Sequence, residues 1–113
     1  MHRVIDTYLH GNEVGVLIEL QCLDEASSKT DEFKVLSKEL AMQIAASKPT
    51  VVNDSQLKNI APIHDKYLHE SLMSQSFIKD PDIKISEHIA QVSDVLAEKI
   101  EVLRFVRYDT KEI

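Results

Sequence analysis

Glycine, cysteine and aromatic residues are all scarce in this chain of 113 residues. The only glycines are Gly11 and Gly15, so no glycine-rich loop is available to cradle the phosphates of a nucleotide. Tryptophan is absent and aromatic residues make up 5% of the chain, so the core must be aliphatic. The single cysteine, Cys22, excludes an internal disulfide and is typical of a reducing compartment.

Long apolar runs are also missing. No stretch approaches the ~20 residues that a membrane helix needs, and the start of the chain, which carries Asp6, does not resemble a signal peptide. We therefore expect no membrane segment and a location in the cytoplasm or an organelle matrix. The formal net charge of −6 disfavours direct nucleic-acid binding and favours a partner with a basic surface. The length and composition predict that residues 1–113 form one small folded domain or part of a larger one.

The longest stretch with helical periodicity covers residues 30–49. Its apolar residues recur at intervals of three and four, which predicts one buried face made of Phe33, Leu36, Leu40, Ala41 and Ile44. Thr30 or Ser28 can cap the start of this helix, and Pro49 ends it. Ala45 and Ala46 keep one flank thin, so that flank either packs in the core or lets another molecule approach closely.

Two strands, Arg3–His10 and Glu13–Cys22, are predicted to form a hairpin around a Gly11-Asn12 turn. A two-residue turn sets a register with Ile5 opposite Ile18. This register gives an apolar core face with Ile5, Leu9, Val14, Val16, Ile18 and Leu20. It gives a second face that carries Val4, Asp6, Tyr8, His10, Glu13, Leu17 and Glu19, with Tyr8 covering Gly15.

The remaining pattern completes an α+β fold. We expect a loop over 23–29, a helix from Asp54 or Ser55 to about Met73, a loop over 74–84, a helix over 86–97 and a strand over 100–108. The fold is therefore predicted as two layers, with a three-stranded antiparallel sheet covered by helices on one face. The uncovered face favours a homodimer through Val4, Tyr8, Leu17 and Phe105, and the alternative is an ordinary solvated sheet.

No catalytic, cofactor-binding or metal-binding set of residues is predicted. The five histidines are interpreted as surface residues, because His64 and His69 do not have the spacing of a helical metal pair. Asp24 and Glu25 fit a solvated loop better than a general acid/base pair. Cys22 is either a reactive thiol or, as we prefer, a small buried hydrophobic residue.

Four blocks of the sequence resemble the core domain of elongation factor Ts, in the order of that family. Val4–Leu20 resembles the family's first hairpin, and Thr30–Pro49 resembles its helix, including the string AMQIAASKP. Gln75–Pro81 resembles the segment before the final helix, and Glu101–Thr110 resembles the last strand. Together these blocks cover most of the chain outside residues 50–74.

The resemblance implies an α+β core, elongation factor Tu as the partner, and release of GDP from that GTPase as the activity. It implies no bond chemistry and no cofactor. Short family members with one core copy work as dimers joined through their sheets, which agrees with the uncovered face. The implied candidate contacts with the GTPase are Asp24, Glu25, Ala26, Gln43, Ala46 and Lys48.

The sequence departs from the family after the first hairpin. The family has a Cys-x-Thr-Asp-Phe-Val motif whose Asp-Phe pair pushes into the GTPase and disturbs its magnesium and phosphate site. Here Cys22 is followed by LDEAS, so the Asp falls on Glu25 and the Phe on Ala26. We also expect a short member without the family's small N-terminal helical domain, and with a shorter connection over 50–74. Some members have a histidine at the position of Gln43.

Two functions remain open at this stage. The chain is either an exchange factor for elongation factor Tu, or a degenerate core used as a non-exchanging binding or structural module, for example in a ribosome-associated assembly. The similarity of the blocks favours the first function. Ala26 and the missing N-terminal domain favour the second.

Overall fold

The computed structural model describes residues 1–57 and 71–111 and confirms an α+β fold. In chain order the elements are β1 (His2–His10), β2 (Val14–Cys22), α1 (Glu25–Ser28), α2 (Asp31–Ser47), α3 (Asp54–Leu57), a 3-10 turn (Leu72–Ser74), β3 (Ser76–Phe77), β4 (Asp80–Lys84), α4 (Ile85–Leu96) and β5 (Glu101–Asp109). Strands β1, β2 and β5 form an antiparallel sheet in that order, and β3 and β4 form a second small sheet. In the described ranges, no helix has the length and apolarity to cross a membrane.

Helix α2 forms where its periodicity predicted it. The Thr30 hydroxyl accepts a hydrogen bond from the Phe33 amide at 3.2 Å, which caps the start of the helix. At the other end Lys48 adopts the left-handed conformation, with φ 55°. The predicted apolar face is buried throughout: Phe33, Leu36, Leu40, Ala41 and Ile44 are each at most 1% exposed. This face packs on β1 and β2 and forms the centre of the core.

A residue from the last strand closes the C-terminal end of α2, whose last turn contains no basic side chain. The Arg107 guanidinium donates to the Ala45 carbonyl oxygen from Nε at 3.2 Å and from Nη2 at 3.1 Å. Its Nη2 atom also lies 3.2 Å from Oδ2 of Asp109. A cation on the last carbonyls of a helix satisfies orphan acceptors and complements the helix dipole. The sheet and the helix are therefore joined by polar as well as apolar contacts.

The hairpin forms, but its predicted register is wrong by one residue. Gly11 and Asn12 have positive φ values of 57° and 59°, and the Glu13 amide donates to the His10 carbonyl at 3.0 Å, as a primed turn requires. However, His10 pairs with Val14, so Glu13 is left out of the ladder. The Glu13 carbonyl instead accepts from the Thr110 amide at the end of β5, at 2.9 Å. The extra residue acts as a bulge.

This shift exchanges the faces of β1. Val4 and Tyr8 lie on the helix side and pack against the core, so their predicted place on the uncovered face is wrong. Phe105 pairs with the buried Ile18 and also lies on the helix side, which corrects its predicted place as well. Leu17 does face away from the helices. Leu9 rather than Tyr8 covers Gly15, with its Cδ1 3.8 Å from where a Cβ would stand.

The uncovered side of the sheet carries exposed apolar residues on all three strands. We call it the open sheet face and define it by its exposed apolar residues: Ile5 (60% exposed), Leu9 (66%), Leu17 (47%), Val106 (39%) and Tyr108 (76%). Arg104 and Glu19 add an ion pair on this face, with Nε and Oε1 2.9 Å apart. The prediction of a half-apolar, uncovered face is therefore confirmed, although most of its members differ.

The second half of the chain differs from prediction in two further ways. The predicted loop over 74–84 contains the small hairpin of β3 and β4, and α4 begins at Ile85 instead of Ser86. Ile85 and Ile89 are buried, and Val92 and Leu96 are half-buried and pack against the core. Most of the helix predicted from Asp54 to Met73 lies outside the described residues. Within the described residues, this region contains α3 and the 3-10 turn.

Candidate partner-binding surfaces

Asp24, Glu25 and Ala26 lie together, all exposed, in a corner between β2 and α2. This segment was predicted as a loop, but it contains the four-residue helix α1, and we call residues 23–28 the α1 corner. Asp24 Oδ1 caps α1 by accepting from the Ser27 amide at 2.9 Å. The single hydroxyl proton of Ser27 is shared between this oxygen, also at 2.9 Å, and Oε2 of Glu98. The backbone and side-chain hydrogen bonds from Ser27 hold the Asp24 pKa below its usual value. Asp24 therefore shapes the corner and is not poised to exchange protons.

Glu25 has only a weak partner. Its Oε1 atom lies 3.2 Å from Nζ of Lys29 one helical turn away, and both side chains are about two-thirds exposed, at 66% and 69%. An ion pair of this kind is worth only about 0.3–0.5 kcal/mol. The Glu25 carboxylate and the neighbouring Ala26 methyl group are therefore available to a partner at little cost.

Glu98 braces the α1 corner from the far end of α4. Its Oε1 atom accepts from the Leu23 amide at 3.3 Å, and its Oε2 atom accepts a short hydrogen bond from the Ser27 hydroxyl. The preceding residue, Ala97, ends α4 in the left-handed conformation with φ 55°, which is unfavourable for a residue with a Cβ atom. The local backbone thus turns sharply before Glu98 reaches the corner.

Replacing Glu98 by alanine is expected to loosen the α1 corner and leave the sheet intact. Both hydrogen bonds are lost, so amide exchange over residues 23–28 should accelerate by roughly tenfold, whereas exchange in β2 should not change. Hydrogen–deuterium exchange on the isolated protein measures this directly. The control is Glu101→Ala, which removes an exposed acid whose one ion pair within residues 1–57 and 71–111 is with Lys99 at 3.4 Å. Equal exchange rates over residues 23–28 in the Glu98→Ala protein and the parent would contradict the conclusion that Glu98 stabilises the α1 corner.

Cys22 is a buried residue, as preferred from the sequence, and not a reactive thiol. The side chain is 0% exposed, and Sγ lies 3.3 Å from the Asp24 carbonyl oxygen, to which it donates. Burial raises the pKa of the thiol, and the negative charges of Glu98 and Asp24 add to this effect. The thiolate form needed for nucleophilic chemistry is therefore disfavoured.

The other predicted contacts lie at the far end of α2. Ala46 and Lys48 are exposed, and Ala46 lines a shallow groove of about 150 Å³ whose remaining walls are Tyr8, His10, Val14, Met42 and Ala45. The 17 residues of α2 separate this groove from the α1 corner by roughly 25 Å. The predicted contacts thus form two separate surfaces.

Gln43 belongs to neither surface, so its predicted role as an exposed partner contact is wrong. The side chain is 1% exposed. Its Nε2 donates to the Ser76 carbonyl at 3.1 Å and to Oε1 of Gln75 at 3.2 Å, while its Oε1 accepts from the Ile78 amide at 3.0 Å. Gln43 therefore attaches the β3–β4 hairpin to α2.

His88 is also more enclosed than the predicted surface histidine. Its side chain is 15% exposed, its Nε2 lies 2.9 Å from Oε1 of Glu39, and its ring stacks on Phe77 with centroids 4.2 Å apart. Across residues 1–57 and 71–111, no group of three or more potential metal ligands forms. His64 and His69 lie outside these residues.

The geometry defines a two-layer α+β domain that presents an exposed corner, a groove at one helix end and an apolar sheet face. A family model described as "Elongation factor TS" matches residues 1–62. The chain belongs to the elongation factor Ts family. It is 31% identical to elongation factor Ts of Heliobacterium modesticaldum, covering 96% of this chain and 64% of the relative. It is 32% identical to that of Thermodesulfovibrio yellowstonii, covering 93% and 66%.

The relatives are longer than this chain. The chain spans 64% of the length of the Heliobacterium protein, in an alignment of 138 positions. Because 96% of 113 residues is about 108 residues, about 30 aligned positions hold residues of the relative that this chain lacks. These positions lie inside the aligned region, so part of the difference in length is internal to the chain.

Proposed function

We propose that this chain binds a GTPase similar to elongation factor Tu, in the cytoplasm or an organelle matrix, and promotes the release of its GDP. The observation that carries the proposal is the α1 corner, which is exposed and braced at the position of the family's Asp-Phe motif. Glu25 supplies a carboxylate where the motif has one. Family membership supports the same partner and the same activity.

Exchange in this proposal works by differential affinity. A protein that binds the nucleotide-free form of a GTPase most tightly must weaken nucleotide binding by the same factor, because the coupling between two sites is reciprocal. The α1 corner would act near the magnesium and phosphate site, with the Glu25 carboxylate as the disturbing charge. The groove beside Ala46 and the exposed Lys48 would make a second contact roughly 25 Å away.

The second candidate is a Ts-like core that binds without exchange, and Ala26 is the observation that favours it. An alanine methyl group cannot wedge into a partner as an aromatic ring does. Release of fluorescent GDP from elongation factor Tu, measured with and without this protein, separates the two candidates. Faster release supports exchange, and co-elution without faster release selects the binding module. Absence of both would contradict both candidates and favour a role in another assembly.

We also propose that two copies associate through the open sheet face. Its apolar residues extend across all three strands, and Leu17 lies on the central strand. Contiguous exposed apolar surface of this kind marks interaction sites. A second copy offers the same apolar surface. Arg104 and Glu19 carry opposite charges, so in a two-fold arrangement Arg104 of one copy can face Glu19 of the other.

Leu17→Asp is expected to convert the dimer to a monomer. Two copies would each bury an unpaired carboxylate near the centre of the interface, which costs several kcal/mol and should weaken association by at least roughly a hundredfold. Light scattering across a dilution series measures the change. The matched control is Val95→Asp, which places the same charge at a 70% exposed valine on α4. A parent protein that is monomeric, or a Leu17→Asp protein that stays dimeric, would contradict the interface.

A further inference from the structure

A groove between α2 and α4 lies on the helical layer, away from the open sheet face. Its volume is about 530 Å³. Helix α2 contributes Asp31, Glu32, Val35 and Glu39, and α4 contributes His88, Gln91, Val92 and Val95. Two of its valines are unusually exposed for apolar residues, Val35 at 55% and Val95 at 70%. We call this surface the α2–α4 groove.

The spacing of the lining residues suits a helical ligand. On each helix they recur at intervals of three or four apart from one adjacent pair, so each set forms one stripe along its helix. Two such stripes side by side leave a channel between their ridges, into which the side chains of a third helix can pack. Binding of an amphipathic helix in an apolar groove is a common mode of protein recognition.

The charge of the groove selects the ligand further. Of the eight lining residues that the structure describes, three are acidic and none is lysine or arginine. Helix α4 contains no lysine or arginine along its whole length, although it contains Glu87 and Asp94. In the part of the chain that the structure describes, the side chains of Asp31 and Glu32 make no ion pair with another residue. The edge of the groove therefore carries negative charge that a basic ligand would complement.

The groove is held in shape before any ligand binds. Glu39 on α2 contacts His88 on α4 at 2.9 Å, and Glu39 also lies 3.4 Å from Nζ of Lys79 in the turn between β3 and β4. The His88 ring stacks on Phe77 of β3. These contacts fix the separation of the two helices at one end of the groove. A preformed site spares the ligand much of the ordering cost of binding.

We propose that the α2–α4 groove binds a basic amphipathic helix of a protein partner, which contacts the valines with an apolar stripe and the acidic edge with flanking lysines or arginines. A second copy of this chain fits poorly in this groove, because its own α4 contains no lysine or arginine to meet the acidic edge. The groove shares no residue with the α1 corner, the Ala46 groove or the open sheet face. The proposal therefore goes beyond nucleotide exchange and assigns the groove to a separate contact.

The test uses a defined probe. A fluorescent synthetic peptide of about 18 residues, or roughly five helical turns, carries leucines at i, i+3, i+4 and i+7 and lysines on both flanks. The control peptide has the same composition in scrambled order. Fluorescence anisotropy should show saturable binding of the first peptide and at least tenfold weaker binding of the scrambled one. Backbone NMR shifts should be confined to α2 and α4.

Two matched variants locate the binding. Val95→Lys puts a positive charge in the groove and should weaken peptide binding at least tenfold, whereas Ala90→Lys adds the same charge at an exposed position of α4 outside the groove and should not. Equal binding of both peptides, or NMR shifts centred on the sheet, would overturn the proposal and show general charge attraction only. GDP release by the Val95→Lys protein should match the parent. A selective loss of that activity would overturn the assignment to a separate partner.

Discussion

Replacing Gln43 by alanine is expected to lower the free energy of unfolding by about 3 kcal/mol, a large effect for a polar residue in a helix. The change removes a side chain that is 1% exposed. It leaves the Ile78 amide without its acceptor and the Ser76 carbonyl without one of its donors. Both hydrogen bonds are only partly buried, so each backbone group that loses its partner costs about 1 kcal/mol, and the cavity left by the fully buried side chain adds roughly as much again. Urea denaturation measures the loss.

The control for Gln43 is another glutamine on a helix. Gln91 on α4 is exposed and forms no side-chain hydrogen bond with any residue in the described ranges, so Gln91→Ala should change stability by less than about 0.5 kcal/mol. Faster amide exchange at Ile78 in the Gln43→Ala protein would show that the β3–β4 hairpin is the part that detaches. A loss below 0.5 kcal/mol at Gln43 would contradict its role as an anchor.

Local pattern was sufficient for the parts of the fold whose determinants lie close in sequence. The face of α2 follows from the three- and four-residue spacing of its apolar side chains, and the position of the first turn follows from Gly11 and Asn12. The register of the hairpin does not follow from them, because the same turn can continue with or without a bulge. Here the Glu13 carbonyl bonds to Thr110, which lies almost a full chain length away.

The predicted positions of side chains were wrong for polar residues whose hydrogen-bond partners lie far away in the sequence. Gln43 was expected to contact the GTPase because the family resemblance places it among the candidate contacts. Its burial depends on a two-residue strand, Ser76–Phe77, which is too short to leave a periodic pattern. His88 is enclosed through Glu39, 49 positions earlier, and Phe77. Asp24–Ala26 could be located because the family motif marks that position.

Ala26→Phe is expected to accelerate GDP release from elongation factor Tu if this chain acts as proposed. The alanine is exposed on α1, so a phenylalanine there meets no clash inside the protein and costs at most about 0.5 kcal/mol in helix propensity. It restores the aromatic ring that the family motif places beside its carboxylate. An aromatic residue at the centre of an interface is often worth about 2 kcal/mol, which corresponds to roughly a thirtyfold change in rate or affinity.

The matched control for this gain is Ala90→Phe, an identical change at an exposed alanine of α4. The release rate of fluorescent GDP is measured against the concentration of each variant. If both variants accelerate release equally, the effect comes from added surface hydrophobicity and not from the α1 corner. An Ala26→Phe protein that still binds the GTPase but leaves the rate unchanged would contradict the placement of the Asp-Phe motif on Glu25 and Ala26. Acceleration by Ala26→Phe alone would indicate that this chain kept the site for exchange and lost the aromatic ring that drives it.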